Sequence, residues 1–268
     1  MLKKFLLTLG VLSVASTAMA EDITNPFYLP RQWQVGAITS ASIEKLVIKN
    51  SNAYIKSQKR LLREDLQFGL TDSLALIGGI GNIWDTWKGT PKIVLDGNLD
   101  KAVHDRENIQ WDAGLAWNIL TGPARFQVSA QYGQDRWKNY SGEYKYALGE
   151  MKFGYQFQRV LPYVTGSVEI PVGQEPGTKG IAGDKFIYAT KLGIYQGKCE
   201  TWALDTGLRL RYDENTEARM ILAEAEASYY LTPKATLGVY GTYALDGHSK
   251  YDLDVYDKSA GVRLRLYF

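Results

Sequence analysis

The last ten residues of the chain, 259–268, alternate strictly between two kinds of side chain. One phase is apolar and consists of Ala260, Val262, Leu264, Leu266 and Phe268, whereas the other consists of Gly261, Arg263, Arg265 and Tyr267. A β-strand places successive side chains on opposite faces, so this pattern predicts a strand with one apolar and one charged face. The sequence then ends on the aromatic Phe268.

Similar alternation recurs along the chain in about twelve segments of near the length that a tilted membrane strand needs. The segments before the closing strand are 32–45, 54–70, 74–84, 108–120, 125–135, 143–157, 162–171, 185–195, 199–212, 217–231 and 235–245. After the N-terminal region no run approaches the ~20 apolar residues of a membrane helix. A membrane protein of this sequence must therefore be a closed sheet, because lipid cannot satisfy open backbone groups.

The connections between these segments alternate in length. Short turns are predicted near Asp72, Gly122, Leu161, Gly197 and Pro233, and they alternate with mostly longer, polar loops. The two most extensive of these loops are predicted at 85–106 and 172–184, and a shorter one at 246–250. This alternation is typical of an antiparallel up-and-down transmembrane β-barrel with both termini on the side of the short turns.

The N-terminal region has the three zones of a secretory signal peptide. A basic start and an apolar core at 5–14 precede a small-residue site that ends at Ala20. We expect residues 1–20 to be a signal peptide cleaved after Ala20. Residues 21–31, which include two prolines, predict an extended leader in the periplasm, and 32–268 predict the barrel.

Composition excludes several classes of protein. The signal peptide holds two of the 31 basic residues and none of the 29 acidic ones, so the mature chain is formally neutral. A neutral chain gives no reason to expect a nucleic-acid partner. Cys199 is the single cysteine, so no intramolecular disulfide can form, and no Cys/His spacing predicts a metal site. No cofactor is expected.

The polar faces carry charged residues on nearly every strand, which a small enclosed core would not tolerate. Aromatic residues also cluster near strand ends, as in interfacial girdles: Trp33, Phe126, Tyr132, Tyr229, Tyr243 and Phe268. Both features favour a barrel whose apolar face points outward to lipid. A soluble periplasmic sandwich or lipocalin-like barrel also alternates and is the alternative.

The terminal aromatic, the apolar residues at every second position before it and the export signal together resemble bacterial outer-membrane β-barrels of Gram-negative type. The resemblance covers essentially the whole mature chain. It implies location in the outer membrane, with lipid and lipopolysaccharide as neighbours. It also implies that Phe268, Leu266 and Leu264 form the signal read by the barrel-assembly machinery, after escort by periplasmic chaperones.

If the polar faces line the lumen, its charged residues can be named. The basic set is Arg63, Arg125, Lys152, Lys191, Arg209, Arg211, Arg263 and Arg265, and the acidic set is Asp65, Asp112, Glu150, Glu169, Asp205, Glu224 and Glu226. Five of them are expected to form one cross-strand cluster on adjacent segments: Asp205, Arg209, Arg211, Glu224 and Glu226. The charges either pair to fill a narrow interior or line a solute path and set its selectivity.

Twelve-stranded members of the resembled class include acidic-oligosaccharide porins, a nucleoside channel, a phospholipase and autotransporter translocators, so strand number does not select a function. We expect a porin-like passive channel for small hydrophilic solutes. The near balance of lumen charges argues against a strongly anion-selective ladder. The alternative is a filled barrel that acts as a structural or adhesive surface protein through its loops.

An enzyme is the least favoured hypothesis. A hydrolase in the barrel wall needs a strand histidine beside a serine, but His104 and His248 both fall in predicted loops. Asp246-Gly247-His248 faintly resembles the Asp-x-His pair of omptin proteases at the barrel rim. Those proteases need a second acidic pair across the rim, where this sequence offers only isolated acids such as Asp85.

Overall fold

The computed structural model describes residues 22–49, 54–90, 103–137, 143–173, 185–198, 200–215, 217–249 and 253–268. These residues form twelve antiparallel strands closed into one barrel, which confirms the predicted fold. In chain order the strands are β1 (Val35–Lys49), β2 (Tyr54–Gly69), β3 (Leu74–Thr90), β4 (Val103–Thr121), β5 (Ala124–Trp137), β6 (Glu143–Tyr155), β7 (Val160–Pro171), β8 (Ile187–Lys198), β9 (Trp202–Asp213), β10 (Ala218–Thr232), β11 (Ala235–His248) and β12 (Asp254–Tyr267). Within these ranges no helix is long and apolar enough to cross a membrane.

Each strand pairs with its neighbours in sequence, and the first strand closes the ring by pairing with the last. The seam runs from Gly36 opposite Tyr267 to Lys49 opposite Asp254. At its end, the Phe268 amide donates to the Val35 carbonyl oxygen at 2.9 Å. The closed ladder satisfies the backbone groups that an open sheet would leave unpaired at its edges.

The predicted apolar phases all face outward. Leu66 on β2 and Val262 on β12 are 54% and 50% exposed, and they belong to an outer surface of large exposed hydrophobic side chains. The structure also assigns the two faces of β3, which the sequence pattern did not distinguish. Leu76, Ile80 and Trp84 are exposed on its outer face, whereas Ala75 and Asp85 are buried on the inner one.

Several predicted strand ends are wrong because the strands continue beyond the apolar alternation. The predicted loop 85–106 is strand up to Thr90 on β3 and again from Val103 on β4, with 91–102 outside the described residues. Asp85 and His104 therefore lie in strands, as does His248 at the end of β11. Ladder hydrogen bonds persist above the lipid-facing belt, where neither face must be apolar, so the hydrophobic period ends before the strand does. Cys199, the predicted start of a strand, lies outside the described residues, and β9 begins at Trp202.

Candidate functional site: the lumen and its N-terminal constriction

The N-terminal segment 22–34 contains residues 22–31 of the predicted leader 21–31. Its residues Ile23, Phe27 and Leu29 pack inside the barrel, and the chain then passes to the outer surface at Trp33. The segment is folded by two turns, in which the Asn25 and Tyr28 amides donate to the carbonyl oxygens of Asp22 and Asn25 at 3.0 and 2.9 Å. It is therefore compact where the sequence suggested an extended chain. It lies at the end of the barrel where β1 begins and β12 ends, which is also the end with the short turns.

The chain passes from the lumen to the outer wall over the end of β2. At Gly69 a Cβ would lie 2.5 Å from the Pro30 carbonyl oxygen, so only glycine lets the segment pass at this distance. The Trp33 amide donates to the Gly69 carbonyl oxygen at 2.8 Å, and Trp33 itself has a φ of 68°. Trp33 is 72% exposed, on the outer surface of the barrel. Backbone geometry at Gly69 and Trp33 thus fixes the point where the chain passes from the lumen to the barrel wall.

Three apolar anchors attach the segment to different parts of the wall. Phe27 packs in a buried cluster with side chains of β7, β8 and β9: Leu161, Tyr163, Tyr195 and Ala203. Leu29 packs against Ala75 on β3 and Ala116 on β4. Ile23 packs against Tyr230 on β10 and Tyr267 on β12. Because β3 and β9 lie on opposite sides of the ring, the segment spans the lumen.

Polar contacts complete the attachment. The hydroxyl groups of Tyr195 and Tyr230 donate to the Asp22 carboxylate at 2.5 and 2.7 Å. Lys152 donates to the Pro26 carbonyl oxygen at 3.3 Å. Asn118 and Gln127 donate to the Phe27 carbonyl oxygen at 3.0 and 3.3 Å. The walls thus supply donors to the acceptors of the segment, as a buried polar chain requires.

The segment is the common wall of two cavities. A lumen cavity of about 440 Å³ lies on one side, and a vestibule of about 510 Å³ lies at the end with the short turns. Asn25, Tyr28 and Leu29 line both. Most of the predicted lumen residues line the first cavity: Asp65, Asp112, Glu150, Lys152, Lys191, Asp205, Arg209, Glu226, Arg263 and Arg265.

The predicted cluster on β9 and β10 forms in part, and it includes β8. Lys191 lies 3.3 Å from an Asp205 oxygen and 3.5 Å from a Glu224 oxygen. Arg209 contacts the other Glu224 oxygen at 2.6 Å, and the Tyr163 hydroxyl donates to Asp205 at 2.7 Å. Arg211 makes no ion pair within the described residues. Two cations and two carboxylates thus form one chain across three strands.

Glu226, expected in that cluster, pairs with the closing strand instead. Its carboxylate binds Arg263 and, at 2.5 Å, Arg265. Arg263 also donates to the Ser40 hydroxyl on β1 at 3.2 Å and lies 4.5 Å from the centroid of the Tyr240 ring. The arginine phase of the terminal stretch therefore ties β12 to β10, β11 and β1 from the inside.

A third network lies on the opposite wall. Arg63 on β2 donates to Asp65 at 2.6 Å and to Asp112 on β4 at 2.5 Å, bridging across β3. It can do so because the intervening residue is Gly79, where a Cβ would lie 2.5 Å from the Arg63 guanidinium nitrogen. The Asp112 side chain is only 4% exposed. This arginine is therefore the counter-charge of a buried carboxylate.

The remaining predicted lumen residues are separate from these networks. Glu150 pairs with Lys152 at 3.1 Å, and Glu169 accepts a hydrogen bond from the Tyr144 hydroxyl at 2.8 Å. Arg125 lines the vestibule, where its Nε atom is buried without a hydrogen-bond partner in the described structure. The structure places these residues, and their role in selectivity stays a prediction.

Sequence reasoning missed the inward tyrosines that lie flat over glycines. Tyr163 covers Gly193, Tyr146 covers Gly133, and Tyr267 covers Gly36, each across a strand pair. A Cβ on Gly193 would lie 2.5 Å from Cε1 of Tyr163. Only the strand register brings these residues together, so no local signal could identify them.

The hypothesis of a protease site at the barrel rim, based on Asp246 and His248, finds limited support. His248 lies with Nε2 2.9 Å from Asp246 and Nδ1 3.3 Å from Asp254, and it is exposed. Asp85 is not a rim acid, because it is buried in the wall and accepts a hydrogen bond from the Ser57 hydroxyl at 2.6 Å. Across the ranges that the structure describes, no group of three His, Cys, Asp or Glu residues could hold a metal.

The fold is similar to that of several solved outer-membrane barrels. An outer-membrane channel from Pseudomonas putida F1 superposes with a TM-score of 0.66 at 11% identity, covering 92% of this chain and all (100%) of that one. The translocator domain of the autotransporter NalP from Neisseria meningitidis has a TM-score of 0.56 at 10% identity, with 91% of each chain covered. The β-domain of the Bordetella autotransporter BrkA has a TM-score of 0.52 at 12% identity, covering 85% of this chain and 98% of that one.

At these identities the similarity shows the fold. No family model and no curated protein sequence matches the chain.

Proposed function

We propose that this protein is a passive channel of the outer membrane, with a water-filled lumen whose narrowest level is the N-terminal segment 22–34. One observation carries the proposal: this segment is the common wall between the lumen cavity and the vestibule. A barrel of eight strands is filled by its own side chains, whereas porins with 16–18 strands leave an open channel. A barrel of twelve strands lies between these two cases, so the side chains and segments that point into the lumen decide whether a solute can pass.

Small hydrophilic solutes are the substrate class that the lining supports. The cavity on the lumen side is lined by carboxylates, lysines, arginines and amides, which replace the hydration of a polar solute. Positive and negative groups alternate around it in pairs, as for Lys191 with Asp205 and Lys152 with Glu150. A paired lining favours weak selectivity between anions and cations.

The Pseudomonas putida protein of the same fold is described as an outer-membrane channel, which is consistent with this proposal. A filled barrel is the second candidate, because the segment spans one end of the lumen and ion pairs link adjacent walls. A filled barrel would act through its surface and carry no solute.

Single-channel recording in a planar bilayer separates the two candidates. Folded protein purified from membranes should give discrete steps and a small reversal potential in a KCl gradient. Arg209→Ala, which leaves Glu224 with Lys191 alone, should shift the reversal potential toward cation selectivity without loss of folding. Silence from protein that is shown to be folded would favour the filled barrel.

A further inference from the structure

A patch of basic side chains lies on the outer surface of the barrel where β12, β1 and β2 meet. It consists of Lys258 on β12, Lys45 and Lys49 on β1, and Lys56 and Arg60 on β2. Lys45 and Lys258 are direct cross-strand partners. Residues directly opposite each other on one face have Cβ atoms about 4.5–5.5 Å apart, and like charges in that position destabilise the pair.

The outward orientation of the patch follows from the strand phases. Ile43, two residues before Lys45, is exposed on the outer face, and Tyr243, the cross-strand partner of Lys258, is exposed on the same face. Ser57 is buried, so the flanking Lys56 points outward. Together with Tyr243 and Tyr256, the lysines line a cleft of about 460 Å³.

No ion pair among the described residues neutralises the charges of the patch, although Asp257, from the inward phase of β12, also lines the cleft. None of the five cations forms an ion pair in the part of the chain that the structure describes. Asp254 is the cross-strand partner of Lys49, but its carboxylate contacts His248, and Lys49 lies over the Tyr256 ring at 5.0 Å. By contrast, Lys145, an outward lysine on β6, pairs with Glu143.

The level of the patch identifies the leaflet that it faces. Lys45 is ten residues beyond Val35, which lies at the end of the barrel with the termini. At about 3.3 Å per residue and a tilt of about 40°, those residues rise about 25 Å, which is the height of the apolar belt of such barrels. Below the patch the outer face is apolar, with Ile43, Leu62 and Val262 exposed.

We propose that this patch binds the phosphate groups of a phosphorylated lipid headgroup in the leaflet opposite the termini. Lysine is a point-charge ligand for phosphate, and an anion between Lys45 and Lys258 removes their mutual repulsion. The Tyr243 and Tyr256 rings lie at the interface, where tyrosine is enriched in membrane barrels. The apolar belt beside the patch contacts the acyl chains of the same lipid.

The test uses the purified full-length mature protein in detergent and native mass spectrometry. Lipid A with two phosphates is compared with the same lipid after dephosphorylation, and with inorganic phosphate. The test variant is Lys45→Gln with Lys258→Gln, and the matched control is Lys145→Gln. The wild type and the control should bind phosphorylated lipid A, and the double variant should bind it at least about tenfold more weakly, since two charge-assisted contacts to phosphate are lost.

Equal binding by the double variant, or equal binding of the dephosphorylated lipid, would overturn the proposal. If inorganic phosphate bound the patch as tightly as phosphorylated lipid A does, the patch would be a site for a free anion, and the proposal of a lipid ligand would be overturned. If the double variant does not fold, the single Lys45→Gln variant is measured in its place. Conductance of the double variant should equal that of the wild type, so loss of lipid binding and failure of the channel proposal are distinguishable.

Discussion

Thr24 and Tyr195 are joined by a hydrogen bond of 2.6 Å between their hydroxyl oxygens, although 171 residues separate them in sequence. The same tyrosine donates to Asp22 at 2.5 Å. These contacts attach the first described residues of the chain to the inner wall of β8. They make the N-terminal segment part of the lumen.

Removal of this attachment should loosen the constriction. Tyr195→Phe with Tyr230→Phe deletes two hydrogen bonds to the Asp22 carboxylate, each worth about 1.5–3 kcal/mol. The segment should then leave its site more often, and recordings should show more frequent openings to a higher conductance. Tyr144→Phe is the control, because its hydroxyl donates to Glu169, away from the segment. Equal recordings from the test and control variants would contradict the attachment.

Arg63→Ala should destabilise the barrel more than Arg209→Ala does. Loss of Arg63 leaves Asp65 without its ion pair and Asp112 buried without a counter-charge, which costs about 3–5 kcal/mol. Loss of Arg209 leaves Glu224 with Lys191 at 3.5 Å. Urea unfolding followed by tryptophan fluorescence measures both. A free energy of unfolding that falls equally in the two variants would contradict the difference between the networks.

Gly193→Ala should destabilise the barrel because its methyl group overlaps the Tyr163 ring. Overpacking of this kind costs about 1–3 kcal/mol. Gly166→Ala on the adjacent strand is the control, because no other described residue comes within 4 Å of its Cβ position, its two chain neighbours aside. Thermal unfolding should show a lower midpoint for the first variant alone. A midpoint unchanged by Gly193→Ala would show that the ring can move aside.

Deletion of Phe268 should reduce the yield of folded barrel. Its backbone exchanges two hydrogen bonds with Val35 at the seam, at 2.9 and 3.4 Å, and its ring ends the predicted assembly signal. Heat-modifiable migration on a gel reports the folded fraction. His248→Ala, at the other end of the barrel, is the control and should fold normally. A normal yield of folded barrel without Phe268 would contradict the role of this residue in assembly.

The outer face could be predicted because lipid demands an apolar side chain at every second position, as at Leu264 and Leu266. The strand ends could not be predicted in this way. Around Asp85 the backbone hydrogen bonds continue beyond the lipid-facing belt, where the sequence need not alternate between apolar and polar residues. The partners of Glu226 depend on register and inward reach across three strands. One sequence signal could have predicted that the leader packs inside the barrel. Its three apolar residues Ile23, Phe27 and Leu29 are unfavourable in a chain exposed to water.

The central claim is that segment 22–34 limits the flow through an otherwise open lumen. It is tested by the single-channel conductance of the mature protein with residues 22–31 deleted, compared with the intact mature protein in the same bilayer. Deletion joins the lumen cavity to the vestibule, so the account predicts steps several times larger with the barrel still folded. Equal conductance, or silence of both folded proteins, would contradict it.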